Sequence, residues 1–197
     1  MIERKTAFIA IVGCPNVGKS SILNKLLGEK IAIVSDKPQT TRTRIMGVLT
    51  TDETQLVFTD TPGFHRPKTK LGEKMIKAVD ETISGVDACL FVVEPMGELR
   101  PTEEELLKKF AQQKARVVLA INKVDKPSAN PDKIKESLAA MNYLVEEWGG
   151  KYQSQDISAK QGINLDKLLE KVLLEAEFLN LKANPNRRAN GAIIESS

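Results

Sequence analysis

One short glycine-rich stretch constrains the fold more than any other part of this 197-residue chain. It follows the apolar run 8–12, reads Gly13-Cys-Pro-Asn-Val-Gly-Lys-Ser20 and fits the pattern G-x-x-x-x-G-K-[S/T]. In such a loop, backbone N–H groups turn inward around phosphate oxygens, and the helix that follows adds its positive N-terminal end. The pattern therefore predicts a strand, a phosphate-binding loop and a helix, in that order.

This loop supplies most of the candidate phosphate ligands. Lys19 would reach the β- and γ-phosphates of a nucleotide, and the Ser20 hydroxyl would bind Mg²⁺. The other candidates in the same loop are Gly13, Asn16, Val17, Gly18 and Ser21. The alternative is a glycine-rich turn that binds nothing, and the Lys-Ser pair argues against it.

Short apolar runs alternate with segments of helical periodicity along the chain. Strands are predicted at 8–12, 45–49, 55–59, 89–93, 117–121 and 152–157. Helices are predicted at 20–27, 71–82, 102–110, 131–146 and 164–181, with a capping box from Thr102 to Glu105 and an Asn130 cap. The alternation predicts an α/β fold, a three-layer α/β/α domain with a mostly parallel six-stranded sheet.

Composition excludes several classes of function. The 29 Lys and Arg against 26 Asp and Glu give a net charge of +3, too small to indicate nucleic acid binding alone. One His and two separated Cys cannot form a His/Cys metal site or a disulfide framework. The apolar stretch 7–12 is too short for a signal peptide or a membrane span. We therefore expect a cytoplasmic protein without a membrane span. We also expect a monomer.

A second candidate phosphate-side motif follows the third predicted strand. In Asp60-Thr-Pro-Gly63, the carboxylate at the strand end would hold the metal through water, and the Gly63 amide would sense the γ-phosphate. The alternative is a simple turn built on Thr-Pro-Gly.

The polar loop 31–44 carries three Thr among charged residues. A Thr there would close over Mg²⁺ and the γ-phosphate and release after hydrolysis. Thr41 is the preferred candidate metal ligand and Thr40 the next, whereas the alternative is a loop that is merely solvated.

Two further motifs predict which base is bound. After the fifth predicted strand comes Asn122-Lys123-Val124-Asp125, whose carboxylate can accept hydrogen bonds from N1–H and the exocyclic amine of guanine. Adenine has neither donor, so Asp125 would reject it. After the sixth strand, Ser158, Ala159 and Lys160 supply backbone groups for guanine O6 and a lysine stem for the ring. The pair of motifs favours GTP over ATP.

Together these motifs resemble the translation-factor-related class of P-loop GTPases. Residues 1–125 are similar to the Era family through the stretches 13–20, 30–42, 60–65 and 68–72. Residues 117–197 are similar to the G domain of bacterial translation initiation factor two, through the stretches 117–127, 146–150, 156–160 and 173–197. Because the two families divide the chain between them, we expect a chimeric or reconstructed sequence.

The resemblance implies a Mg²⁺-dependent switch that binds GTP and GDP and hydrolyses GTP, with Asn16, Lys19, Thr41 and Gly63 as candidate catalytic residues. Phe64 follows Gly63 and cannot polarise water, so we expect a slow intrinsic rate. In Era-like GTPases an Asn at the position of Asn16 helps to hold a potassium ion; the alternative is that Asn16 only braces the loop.

The resemblance also implies a ribosome or RNA partner, contacted through domains outside this chain. Residues 1–181 would form the G domain, and 182–197, where the helical pattern gives way to Asn, Pro and Arg, would be a linker and the start of another domain. An alternative function is a regulatory nucleotide-binding module that hydrolyses GTP only with a partner. A P-loop ATP kinase is disfavoured because it has no use for Asn122-Lys-x-Asp125.

Overall fold

A single six-stranded sheet organises the computed structural model, which describes residues 5–32, 45–51, 54–61 and 81–177. The sheet order is β2-β3-β1-β4-β5-β6. Only β2 runs antiparallel, against β3, among these described strands. The strand bounds are β1 Lys5–Gly13, β2 Ile45–Thr50, β3 Thr54–Asp60, β4 Ala88–Val93, β5 Val117–Asn122 and β6 Ser154–Ile157. The predicted mostly parallel, six-stranded α/β fold is confirmed.

Helices cover both faces of the sheet. Their bounds are α1 Lys19–Leu27, α2 Pro101–Gln113, α3 Pro131–Ala140 and α4 Leu165–Glu177, with a 3₁₀ turn at Glu146–Trp148. Side chains of α1 and α4 share one buried cluster with alternate residues of β1, such as Ile9 and Ile11. Side chains of α2 and α3 share the opposite cluster with Ala10 and Val12. Every residue of β4 and β5 is buried, as expected for parallel strands covered on both faces.

The first turn of α2 differs from the sequence prediction. The helix begins at Pro101, Arg100 is the N-cap, and the Glu103 carboxylate accepts a hydrogen bond of 2.8 Å from the Arg100 amide. The predicted capping box from Thr102 to Glu105 was wrong by two residues. Proline presets the helical φ and needs no N–H partner at the first position, so the helix starts there.

The end of α3 also differs from the prediction of a helix over 131–146. The predicted cap is confirmed, because Asn130 Oδ1 accepts from the Lys133 amide at 3.2 Å. The helix ends at Ala140, however, and Asn142 adopts a left-handed backbone with φ +67°. A left-handed residue closes the last turn, and the chain then leads into the 3₁₀ turn.

The remaining boundaries shift by small amounts or lie outside the described residues. Tyr152 pairs with Val145 as an isolated bridge, so β6 starts later than predicted. Of the predicted helix 71–82, only 81–82 are described, and they are helical. The helix predicted at 164–181 corresponds to α4, and the expected linker 182–197 lies outside the described residues. Within the described ranges, each helix is too short or too polar to cross a membrane.

Candidate functional site

The glycine-rich loop connects β1 to α1 at the carboxyl ends of the parallel strands. Two of its glycines are needed because other groups approach closely. A Cβ on Gly13 would lie 2.4 Å from the Val92 carbonyl oxygen, and one on Gly18 would lie 2.2 Å from Asn122 Nδ2. Gly18 also has φ +102°, a conformation that disfavours side chains. The loop therefore packs directly against Val92 in β4 and against Asn122, the first residue of the motif Asn122–Asp125.

Lys19 is buried inside this loop. Its Nζ donates to the carbonyl oxygens of Gly13 at 3.2 Å and Cys14 at 2.9 Å. Burial lowers the pKa of Lys19 to about 8, although the Asp60 carboxylate opposes the shift. A desolvated ammonium enclosed by the loop would be stabilised by an anion such as a phosphate.

Ser20 and Asp60 form a pair of oxygen donors beside the loop. The Ser20 hydroxyl donates to Asp60 Oδ2 at 2.6 Å, and Asp60 is fully buried at the end of β3. Hard oxygen ligands suit Mg²⁺, which keeps several waters and takes other ligands from phosphates. Among the described residues there is no cluster of three or more His, Cys, Asp or Glu that would hold a metal alone. The pair fits Mg²⁺ bound together with a nucleotide.

Asn122 connects three loops from the end of β5. Its side-chain amide donates to the Val17 carbonyl at 2.7 Å, and its Oδ1 accepts from the Ala159 amide at 3.0 Å. All three residues are buried. The phosphate loop is thereby held against the loop that follows β6.

Lys123 extends from the same strand end back to the phosphate loop. Its backbone is left-handed, with φ +78°, and its Nζ donates to the Asn16 carbonyl at 2.5 Å. Nζ also contacts the Glu94 carboxylate. The stem of Lys123 therefore passes along one side of the site, between the phosphate loop and Asp125.

Asp125 lies exposed at the far end of the same cavity. A hydrogen bond from the Ser158 side chain lowers the pKa of the Asp125 carboxyl, with smaller contributions from Lys160 and Lys126. The cavity has a volume of about 980 Å³ and is lined by Gly18, Ser21, Asn24, Lys25, Gly28, Glu29, Lys30, Asn122, Lys123, Asp125, Lys126, Ala159 and Lys160. The structure thus brings together both predicted base motifs and the helix that starts at the phosphate loop.

Three of the sequence-based candidates lie outside the described residues: Thr41, its alternative Thr40, and Gly63. Sequence reasoning missed Glu94, Asn24 and the side chain of Ser158. Asn24 accepts from the amides of Ile31 and Ala32 at 3.0 and 2.8 Å. The signal for Glu94 was its place directly after a fully apolar strand, where a charged residue reaches the carboxyl edge of the sheet.

Cys14 lacks the exposure and the lowered pKa of a reactive thiol. Its side chain is buried, and burial together with the Glu103 carboxylate raises the pKa of the thiol to about 12. A thiol that stays protonated at neutral pH is a poor nucleophile.

Residues 8–123 match a family model described as 50S ribosome-binding GTPase. The chain belongs to this GTPase family. Over 196 residues it is 43% identical to translation initiation factor IF-2 of Bacteroides fragilis. The aligned region covers 100% of this chain and 18% of that protein. IF-2 of Flavobacterium psychrophilum is 41% identical over 195 residues, covering 99% of the chain and 19% of that protein. The chain therefore spans about a fifth of the length of these relatives.

Solved structures of related GTPases have the same fold. Era in complex with MgGDPNP and a fragment of 16S ribosomal RNA is 34% identical, with a TM-score of 0.78 over 94% of this chain and 60% of that one. An Era variant from Aquifex aeolicus bound to GDP and AlF4⁻ is 35% identical, with a TM-score of 0.74 over 87% of this chain and 57% of that one. Elongation factor SelB from Methanococcus maripaludis, at 20% identity and a TM-score of 0.65 over 96% of this chain and 37% of that one, shares the fold.

The predicted resemblance to Era and to initiation factor two is confirmed, and the chain is a GTPase G domain related to both. The match to IF-2 covers 100% of the chain and the match to Era covers 94% of it, so each extends beyond the part of the chain in which the sequence showed that resemblance. The chimeric or reconstructed origin stays a prediction.

Proposed function

We propose that residues 1–181 form a Mg²⁺-dependent G domain that alternates between GTP and GDP, hydrolyses GTP slowly alone, and acts with the ribosome or an RNA. The observation that carries the proposal is the side chain of Asn122, which joins Val17 of the phosphate loop to Ala159. The loop proposed to bind phosphate and the loop proposed to bind the base are thereby held next to each other. A nucleoside triphosphate must contact both loops at once.

On the phosphate side, Lys19 would neutralise charge on the β- and γ-phosphates, and loop amides between Gly13 and Ser21 would donate to their oxygens. Ser20 and Asp60 would hold Mg²⁺, directly and through water respectively, with Thr41 as a further ligand. When bound, Mg²⁺ would supply positive charge to offset the negative charge of the phosphoryl oxygens. Gly63 would sense the γ-phosphate through its amide.

On the base side, Asp125 would accept from N1–H and the exocyclic amine of guanine. The carboxylate is ionised at neutral pH and can therefore only accept hydrogen bonds, and the bond from Ser158 lowers its pKa further. The stems of Lys123 and Lys160 would cover the two faces of the ring. Adenine offers no donor to Asp125, which favours guanine nucleotides.

Potassium is the proposed second cation. Asn16 lies within the phosphate loop, is exposed, and has a left-handed backbone with φ +64°. A cation held there would offset charge on the γ-phosphoryl oxygens. Phe64, the residue after Gly63 in the sequence, has no polar side-chain group that could do so. The competing role for Asn16 is to brace the loop.

The proposed partner follows from the relatives. One Era structure contains a fragment of 16S ribosomal RNA, and the IF-2 proteins are translation initiation factors. We expect domains outside residues 1–197 to make most of that contact, with 182–197 as the connecting linker. A monomer in the cytoplasm is the expected state, and light scattering after gel filtration would measure the mass.

GTP turnover tests this proposal. The parent, Asn16→Ala and Lys19→Ala are compared in matched potassium and sodium chloride, with and without ribosomes. Slow parent turnover that rises in potassium, an effect lost in Asn16→Ala, supports the proposal, as does stimulation by ribosomes. Equal parent rates in the two salts would remove the potassium role. The regulatory module would be favoured by a different result: the parent hydrolyses GTP no faster than Lys19→Ala when ribosomes are absent, but does so faster when ribosomes are present.

A further inference from the structure

Glu94, directly after β4, lies among three cations, of which Lys123 and Lys126 line the cavity. Its side chain is 12% exposed. One carboxylate oxygen contacts Lys123 Nζ and lies 3.9 Å from Lys126 Nζ. The other accepts from Arg100 Nη2 at 2.5 Å. Burial alone would raise the pKa of Glu94, but Lys123 and Arg100 outweigh it and hold the pKa below its usual value.

Arg100 continues this set of contacts back to the phosphate loop. The Glu103 carboxylate accepts from the Arg100 amide and lies 3.8 Å from its guanidinium Nε. Glu103 is 2% exposed and interacts with the Cys14 thiol. Lys123 in turn donates to the Asn16 carbonyl. The chain of contacts through Glu103, Arg100, Glu94 and Lys123 therefore connects two residues of the phosphate loop, Cys14 and Asn16.

Lys123 needs such support for physical reasons. Its backbone has φ +78°, which costs energy in a residue with a side chain. Its long side chain also loses considerable rotamer entropy when it is ordered. A carboxylate that fixes the ammonium before the nucleotide arrives removes part of that cost from binding.

We propose that Glu94 is a positioning residue for guanine nucleotide binding, holding Lys123 extended between the phosphate loop and the base site, with Arg100 orienting Glu94. The proposal rests on the proposed function of Lys123 as a cover for the base. Glu94 touches neither base nor phosphate in this account, so it acts wholly through Lys123. A purely structural role, in which Glu94 only secures the segment before α2, is the competing explanation.

A double-mutant cycle separates these roles. Dissociation constants and rates for fluorescent GDP are measured for Glu94→Ala, Lys123→Ala and the double variant, with Glu94→Gln as the neutral isostere. Glu98→Ala is the matched control, since Glu98 is an exposed acid in the same segment that pairs with Lys133 at 3.4 Å. Urea unfolding without nucleotide is recorded for every variant.

If Glu94 positions Lys123, Glu94→Ala weakens GDP about tenfold, the scale of one charge-assisted hydrogen bond, mainly through faster dissociation. In the Lys123→Ala background, Glu94→Ala then has almost no effect on GDP affinity. The GDP affinity of Glu94→Gln lies between those of the parent and Glu94→Ala, and that of Glu98→Ala equals that of the parent.

Full additivity of the two substitutions in GDP affinity would overturn the proposal, as would parent-like affinity in Glu94→Ala. A loss of affinity that merely follows loss of urea stability would favour the structural role instead. If Lys123→Ala itself leaves GDP affinity unchanged, the base-covering role in the proposed function fails first, which is a distinguishable result.

Discussion

Replacing Asn122 by Ala should destabilise the G domain even without nucleotide. The substitution removes two buried hydrogen bonds, of 2.7 Å to the Val17 carbonyl and 3.0 Å from the Ala159 amide. Each backbone group left unsatisfied in the interior costs about 1–3 kcal/mol, so we expect a total of about 2–6 kcal/mol for the two. That is a large share of the roughly 5–15 kcal/mol by which domains of this size are stable.

Urea unfolding of the nucleotide-free protein, followed by circular dichroism, measures this loss. Asn130→Ala is a suitable control, because Asn130 is an exposed helix cap that makes one such bond, at 3.2 Å. The control should cost about 1 kcal/mol. If Asn122→Ala costs no more than Asn130→Ala at an unchanged denaturant slope, Asn122 does not hold the loops together as argued.

Other changes test single features of the site. Gly18→Ala should abolish GDP binding, because a Cβ would lie 2.2 Å from Asn122 Nδ2; near-parent affinity in calorimetry would refute the packing. Lys19 has a pKa of about 8, below its ordinary value, so its contribution to stability rises with pH from about 8 to 10.5 as the unfolded chain retains the proton. GDP binding at pH 9 should then take up a proton, so the binding enthalpy should depend on the ionisation heat of the buffer. Lys19→Ala should lose this dependence. Its absence in the parent would contradict the lowered pKa of Lys19. Cys14 and Cys89 are both buried with pKa values of about 12, so Ellman's reagent should label the native protein far more slowly than the urea-unfolded chain; rapid labelling of two thiols would be the opposite result.

The six strands and the layers follow closely from local sequence. Fully apolar runs such as 117–121 are typical of parallel strands covered on both faces, and the glycine-rich loop fixes which strand precedes the first helix. Helix ends were less predictable. The start of α2 depends on Pro101 rather than on the nearby Thr-Glu pattern, and the end of α3 depends on the left-handed backbone of Asn142.

The positions of the candidate site residues were predictable where a motif of fixed spacing follows a predicted strand. Lys19, Asn122 and Asp125 stand in motifs with fixed spacing, and the structure brings them to the same edge of the sheet. Glu94 was not predictable, because its partners Lys123 and Lys126 belong to the segment after β5, which meets Glu94 only in the folded chain. The lowered pKa of Lys19 likewise arises from burial, which no motif specifies.

A titration with GDP, ADP and XDP, for the parent and for Asp125→Asn, tests the central claim most directly. The substitution replaces an acceptor by a donor, and xanthine presents an acceptor where guanine presents its amine. The account predicts that the parent binds GDP far more tightly than ADP or XDP and that Asp125→Asn shifts the preference towards XDP. Comparable affinity of the parent for ADP and GDP, or an unchanged preference in Asp125→Asn, would contradict it.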